Sequence, residues 1–131
     1  MNKEEYFIKQ FTSNKIIGDD GAFIDGFVYS MDAFFENVHF KKEWMSLSQI
    51  AYKSMIVNIS DAIVMNAKPK FALLSVAIPK SYTNQDLKEL SKGFKKAAKE
   101  FGIKIIGGDT ISNAKLDISV TIISTTSNPI Y

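Results

Sequence analysis

The chain of 131 residues predicts a domain of mixed α and β structure, on three observations. Two long stretches, residues 46–67 and 83–101, have the length and apolar content of helices. Shorter runs at 27–32, 71–78, 103–106 and 116–123 have the alternation or continuous apolarity of strands. Glycine and proline punctuate the boundaries between them, as at Pro69, Pro79 and Gly102.

Taken in order, residues 2–11 (NKEEYFIKQF) fit a short helix with Tyr6, Phe7 and Phe11 turned inward. The quartet G-D-D-G at 18–21 is a turn sequence bearing two adjacent acids, and an exposed turn accounts for it when taken alone. In the strand 27–32, Ser30 and Asp32 project from the same face, roughly 7 Å apart. That spacing suits ligands of neighbouring cations, and a solvated polar face explains it equally well. An aromatic segment follows at 33–40, with Glu36 and His39 set among phenylalanines; locally, His39 reads as a surface or core-edge histidine.

Ser46 with Gln49 makes a capping box that starts the first long helix, and Pro69 ends it near Ala67 by pushing Lys68 out of helical geometry. Within it, the run KSMIVNISDAIVMNA at 53–67 is apolar on nearly every side apart from Asn58, Ser60 and Asp61. A carboxylate on a buried helix costs several kcal/mol unless it is paired, hydrogen-bonded or metal-bound, and no basic residue stands within a turn of Asp61 on its side. Asn58, three residues earlier, shares its face, so the pair is expected to floor a cation site. The run FALLSVAI at 71–78 fits a strand covered on both faces. Thr83 caps the second helix, whose inward stripe is Leu87, Leu90, Phe94, Ala97 or Ala98 and Phe101, with Lys88, Lys92, Lys95 and Lys99 solvated opposite. Gly102 closes it in left-handed geometry. The strand 103–106 runs into G-G-D-T, where two glycines admit close backbone approach and Asp109 is expected at the strand's end with its carboxylate free. A last strand at 116–123 precedes a loop, and a chain that stops there without a closing element is expected to be part of a longer one.

Composition narrows the chemistry. With 46% hydrophobic and 23% charged residues the chain reads as one globular domain. No stretch approaches the roughly 20 apolar residues needed to cross a bilayer, and the start MNKEE carries acids where a signal peptide needs basic residues, so a cytoplasmic protein off the membrane is expected. The absence of cysteine excludes disulfides, thiolate metal sites and a cysteine nucleophile, and a single histidine argues against zinc. All 16 basic residues are lysine, so a bidentate guanidinium clamp on phosphate must come from elsewhere. A net charge of +2 is too small to indicate nucleic acid.

Four segments each offer an aspartate: Asp20, Asp32, Asp61 and Asp109. Carboxylates that converge repel one another unless hard cations hold them, and oxygen ligands without cysteine or histidine select Mg²⁺. Such a site suits a nucleoside triphosphate, although the phosphate-loop pattern is absent. G-D-D-G-A at 18–22, S-M-D-A-F-F-E-N-V-H-F at 30–40, N-I-S-D-A at 58–62 and G-G-D-T at 107–110, in this order and spacing, resemble the thiamine-monophosphate kinase family. That family sits in the superfamily of aminoimidazole ribonucleotide synthetase and selenophosphate synthetase.

The resemblance implies an α+β fold with a curved, mostly antiparallel sheet, helices packed on one face, and two sheets pairing into a barrel across a homodimer. It implies ATP-dependent phosphorylation of thiamine monophosphate to thiamine diphosphate, assisted by Mg²⁺. It further implies that Asp20, Ser30, Asp32, Asp61 and Asp109 bind Mg²⁺, with Met31 adding its backbone carbonyl, that Gly108 and Asp109 touch nucleotide phosphate, and that His39 meets thiamine monophosphate. Residues 1–131 then form the amino-terminal ATP- and Mg-binding, dimerising domain of a two-domain kinase, inactive alone. Asn37 and Asn66 stand where the family has glycine, which puts the loop beside His39 in question. Two other readings remain: another ATP-using enzyme of the superfamily, or a non-catalytic metal-binding dimerisation module.

Overall fold

The structure, a computed structural model, describes residues 3–10 and 22–126. Phe11, the 18–21 quartet with Asp20, and residues 127–131 lie outside the described residues. The elements run α1 (Lys3–Lys9), β1 (Ala22–Ile24), β2 (Phe27–Phe35), a single 3₁₀ turn (Lys42–Trp44), α2 (Leu47–Val64), β3 (Lys68–Pro79), α3 (Asn84–Phe101), β4 (Lys104–Asn113) and β5 (Asp117–Thr125). The five strands form one sheet in the order β1-β2-β5-β3-β4. Three of its pairings are antiparallel, and β3 with β4, joined through α3, is parallel. The expected α+β class with a mostly antiparallel sheet is therefore what the chain adopts.

The helix boundaries follow their caps. Ser46 accepts from the Gln49 amide while the Gln49 side chain accepts from the Ser46 amide, and Thr83 and Asp86 repeat the arrangement on α3. Gly102, at φ 65°, ends α3 in left-handed geometry. Helix α2 packs across β2, β5 and β3, and α3 packs on α2. Along β5, Ile118, Val120, Ile122 and Ser124 are buried beneath this helical layer, whereas the alternate residues are only half-buried. The core is therefore the space between one sheet face and α2, filled by Val28, Ile50, Met55, Ile59 and Ile122 among others.

Several expectations need correction. Tyr6 and Phe7 are exposed, because a seven-residue α1 makes barely two turns and cannot hold a stripe against the sheet. Helix α2 stops at Val64, not Ala67; Asn66, at φ 59°, turns the chain into a β3 that begins three residues earlier than its apolar run. Ile63 and Val64 stay exposed despite the apolar character of α2, since both lie off its buried stripe. The largest difference is at G-G-D-T, which lies inside β4 and not beyond a strand end. There Gly107 and Gly108 take φ values of 156° and 149°, a conformation that lets β4 continue past a bulge opposite Ala72 and Leu73.

Candidate active site

Strand β2 sets Ser30 and Asp32 on the helix-covered side, as the alternation required. Ser30 is buried and its Oγ has no hydrogen-bond partner, while Asp32 is exposed. Met31, on the opposite face, is 69% exposed. Asp61 is half-exposed at the margin of α2, so the buried polar groups of that helix are Ser54 and Asn58. This corrects the expectation of a buried carboxylate. The inward stripe, Leu47, Ile50, Ala51, Ser54, Met55, Asn58, Ile59 and Ala62, passes beside Asp61 and not through it. Ser54 Oγ donates to Ala51 O at 2.7 Å and Asn58 Nδ2 to Ser54 O at 3.2 Å, which leaves Asn58 Oδ1 buried without a partner. Ser124, buried on the adjoining face of β5, is a third such group that the sequence did not flag.

Gly108 and Asp109 sit on β4, at the edge of the sheet. A Cβ on Gly108 would collide with the Leu74 carbonyl of β3, so the residue must be glycine for the two strands to lie this close. The Asp109 carboxylate accepts from the Thr110 amide at 2.9 Å and is otherwise exposed. Beside these residues opens a cleft of about 480 Å³ between α3 and the strands β3 and β4. Leu74, Leu87, Leu90 and Phe94 wall it with carbon, Ser91 adds a hydroxyl, and residues 107–110 form its rim. The apolar stripe of α3 was legible in the sequence, with all of it expected in the core. Part of that stripe, Leu87 included, faces the cleft instead.

The ladder rows run Asp32–Val120–Leu74–Gly108 and Ala33–Ser119–Ser75–Asp109. Asp32 and Asp109 are thus in neighbouring rows, whose side chains alternate between faces, and three strand spacings or about 14 Å apart. Among the described residues no three of the His, Asp and Glu side chains gather closely enough to hold a metal ion. The expectation of four aspartates in one small pocket is therefore not met within these residues, with Asp20 outside them.

His39 lies in the turn after β2, exposed, with Nδ1 accepting from the Phe35 amide at 2.9 Å. Asn37 holds that turn at φ 66°, in the left-handed region that favours glycine and asparagine, and Asn66 does the same after α2 at φ 59°. Glu36 braces the turn: its amide donates to Asp117 Oδ1 at 3.2 Å, and its carboxylate accepts from the Leu116 amide at 3.0 Å. Nearby, burial first and then the charges of Glu36 and Asp86 push the Tyr82 phenol up to about 12.

Residues 18–126 match the family described as AIR synthase related protein, N-terminal domain. The chain belongs to that family. Among curated proteins it is similar to thiamine-monophosphate kinase of Bacillus subtilis, 40% identical over 113 residues that cover 82% of this chain and 35% of the relative. That of Rhodopirellula baltica is 36% identical over 126 residues, covering 86% of this chain and 40% of the relative. The chain thus spans only about two fifths of these relatives. Among solved structures, thiamine monophosphate kinase from Aquifex aeolicus superposes with a TM-score of 0.86 at 26% identity, over 99% of this chain and 46% of that one. AaThiL complexed with AMPPCP and TMP gives 0.87 at 26% identity over 99% and 45%. The fold is shared with a HypE-HypF complex, at 0.79 and 27% identity over 95% and 42%.

Proposed function

We propose that this chain is the amino-terminal, nucleotide-binding part of a two-domain thiamine-monophosphate kinase. The observation that carries the reading is the likeness over 99% of the chain to a kinase structure holding an ATP analogue and TMP, joined to G-G-D-T on the rim of an apolar cleft. The Leu74, Leu90 and Phe94 walls suit a flat purine, and β4, an edge strand beside the cleft, offers backbone amides to phosphate oxygens in this reading.

The donor set fits Mg²⁺. Asp32, Asp61, Asp109 and Asp20 offer only oxygen, and the unpartnered Ser30 Oγ stands beside Asp32 on the same strand face. Met31 adds its carbonyl in this reading. Mg²⁺ is ordinarily held by one or two carboxylates completed by phosphate and water, so Asp32 and Asp109, in neighbouring ladder rows that face opposite ways, would hold separate ions and not one shared site. When bound, the ions neutralise charge on the phosphates during transfer. The chain's own residues bind and align: the cleft holds the nucleotide, Gly108 seats its phosphates, and His39 meets thiamine monophosphate. An oxygen of the thiamine monophosphate phosphate attacks the terminal phosphorus of ATP. The new P–O bond forms as the bond to the bridging oxygen breaks, giving thiamine diphosphate and ADP.

The cytoplasm is the expected setting; among the described residues no helix is long and apolar enough to cross a membrane. The sheet face opposite α2 exposes Met31 and Ile111, which a homodimer would cover.

The test is a chimaera in which this chain replaces the matching segment of the Bacillus subtilis enzyme. It is expected to phosphorylate thiamine monophosphate with Mg-ATP. Asp32→Asn or Asp109→Asn should lower kcat/KM by more than the roughly 10- to 100-fold typical of losing an outer-sphere partner. Normal rates in both variants would refute the metal assignment.

A further inference from the structure

We propose that three lysines of α3 beside the cleft, Lys88, Lys92 and Lys95, form a cationic approach surface that gathers the polyphosphate of the nucleotide and steers it into the cleft. The nucleotide as occupant rests on the function proposed above; the anion-gathering groove does not. A second depression, of about 580 Å³, runs along α3 and is lined by Asn84, Leu87, Lys88, Ser91, Lys92 and Lys95. It shares Leu87 and Ser91 with the apolar cleft, so the two hollows adjoin on one side of the helix. The three lysines follow at intervals of four and three residues, which sets them on one face over about 10 Å of helix axis. All three are exposed.

The helix itself leaves their charge uncompensated. No acid stands three or four residues from Lys88 or Lys95. The one at that spacing from Lys92 is Glu89, whose carboxylate accepts from Gln85 Nε2 at 3.3 Å. Asp86 is engaged at the cap, where it accepts from the Thr83 amide at 2.8 Å. Lys96, by contrast, is drawn aside over the Tyr52 ring, 5.0 Å from its centroid, and takes no part in the groove. The need for positive charge comes from the opposite rim. Asp109 stands there, and a polyanion approaching that carboxylate is repelled until cations are in place. The chain has no arginine to offset this. Exposed lysines act as mobile point charges, which suits gathering a passing polyanion more than clamping a seated one. With a screening length of about 8 Å at physiological salt, a charged patch that adjoins a cleft raises the rate of encounter and leaves the chemical step alone.

In the chimaera, the combined changes Lys88→Gln, Lys92→Gln and Lys95→Gln keep helix propensity and most of each stem while removing three charges. Association of Mg-ATP, followed by stopped flow, should slow about tenfold at low ionic strength, with a shallower dependence on salt and an unchanged kcat at saturating ATP. Arginine at the same three positions should restore the rate, because only charge is needed. Removing three exposed lysines elsewhere, by Lys3→Gln, Lys9→Gln and Lys68→Gln, should slow association much less. An unchanged rate in the α3 variant overturns the proposal. So does an equal loss in the control, because net charge alone would then account for it. A chimaera that binds no Mg-ATP strikes the function proposed above, and inorganic tripolyphosphate then decides the groove by itself. Salt-sensitive binding to the 131-residue chain that the triple glutamine variant loses supports the groove; binding that is absent, or equal in both, overturns it.

Discussion

Gly108 shows how much one hydrogen atom in place of a side chain can decide. At φ 149° and pressed against the Leu74 carbonyl, it has no room for a methyl group, and the obstacle is backbone that cannot rotate away. Gly108→Ala is expected to cost about 2–4 kcal/mol, measured as a lowered urea midpoint at constant m-value. A loss under about 0.5 kcal/mol, the ordinary range for exposed surface changes, would mean that the strand pair separates easily. At this scale the sequence was legible where residue chemistry is local: Ser46, Thr83 and Gly102 cap as their types dictate. It was less so at Asn37 and Asn66, where only a backbone angle shows that the asparagine is left-handed. Asp61 misled because an apolar helix looks buried all round until its neighbours define which stripe faces them.

The helices meet through a second glycine. A Cβ on Gly93 of α3 would run into the Ser48 carbonyl and approach Ala51 Cβ at 2.8 Å, so α2 and α3 touch nearly backbone to backbone. Gly93→Ala gains the usual helix propensity of about 1 kcal/mol, yet the collision outweighs it. Net destabilisation of about 1–3 kcal/mol in thermal or chemical unfolding is expected, and a stabilised variant would contradict this packing. Neither this contact nor the length of β4 was legible. A strand interrupted by two glycines looks finished at the first of them, and only pairing with β3 carries it on to Asn113.

For the molecule as a whole, the raised Tyr82 phenol ties stability to alkaline pH. A folded value of about 12 against the ordinary tyrosine value of 10.0 means that the folded state holds this proton more tightly. Its contribution is complete below pH 10 and fades as pH climbs from 10 towards about 12. Between those limits the parent should lose stability faster than Tyr82→Phe in urea titrations; parallel curves would exclude Tyr82 as the cause. The α+β class and the order of the longer elements were legible, since each announces its own period, whereas the three residues of β1 are too few to show one. The site was legible only as a set of residue types. Which aspartates stand near one another depends on strand order, and no local pattern encodes the insertion of β5 between β2 and β3.

That insertion governs when the chain can fold. The last strand supplies the middle of the sheet, so β2 and β3, which each pair with β5 and not with each other, are not joined in one sheet until residues 117–125 exist. A nascent chain halted before Asp117 has one hairpin and one parallel pair with no strand ladder between them, and its helices lack the floor of Ile118, Val120 and Ile122. Closure therefore comes late and all at once, with pairings that reach across most of the sequence.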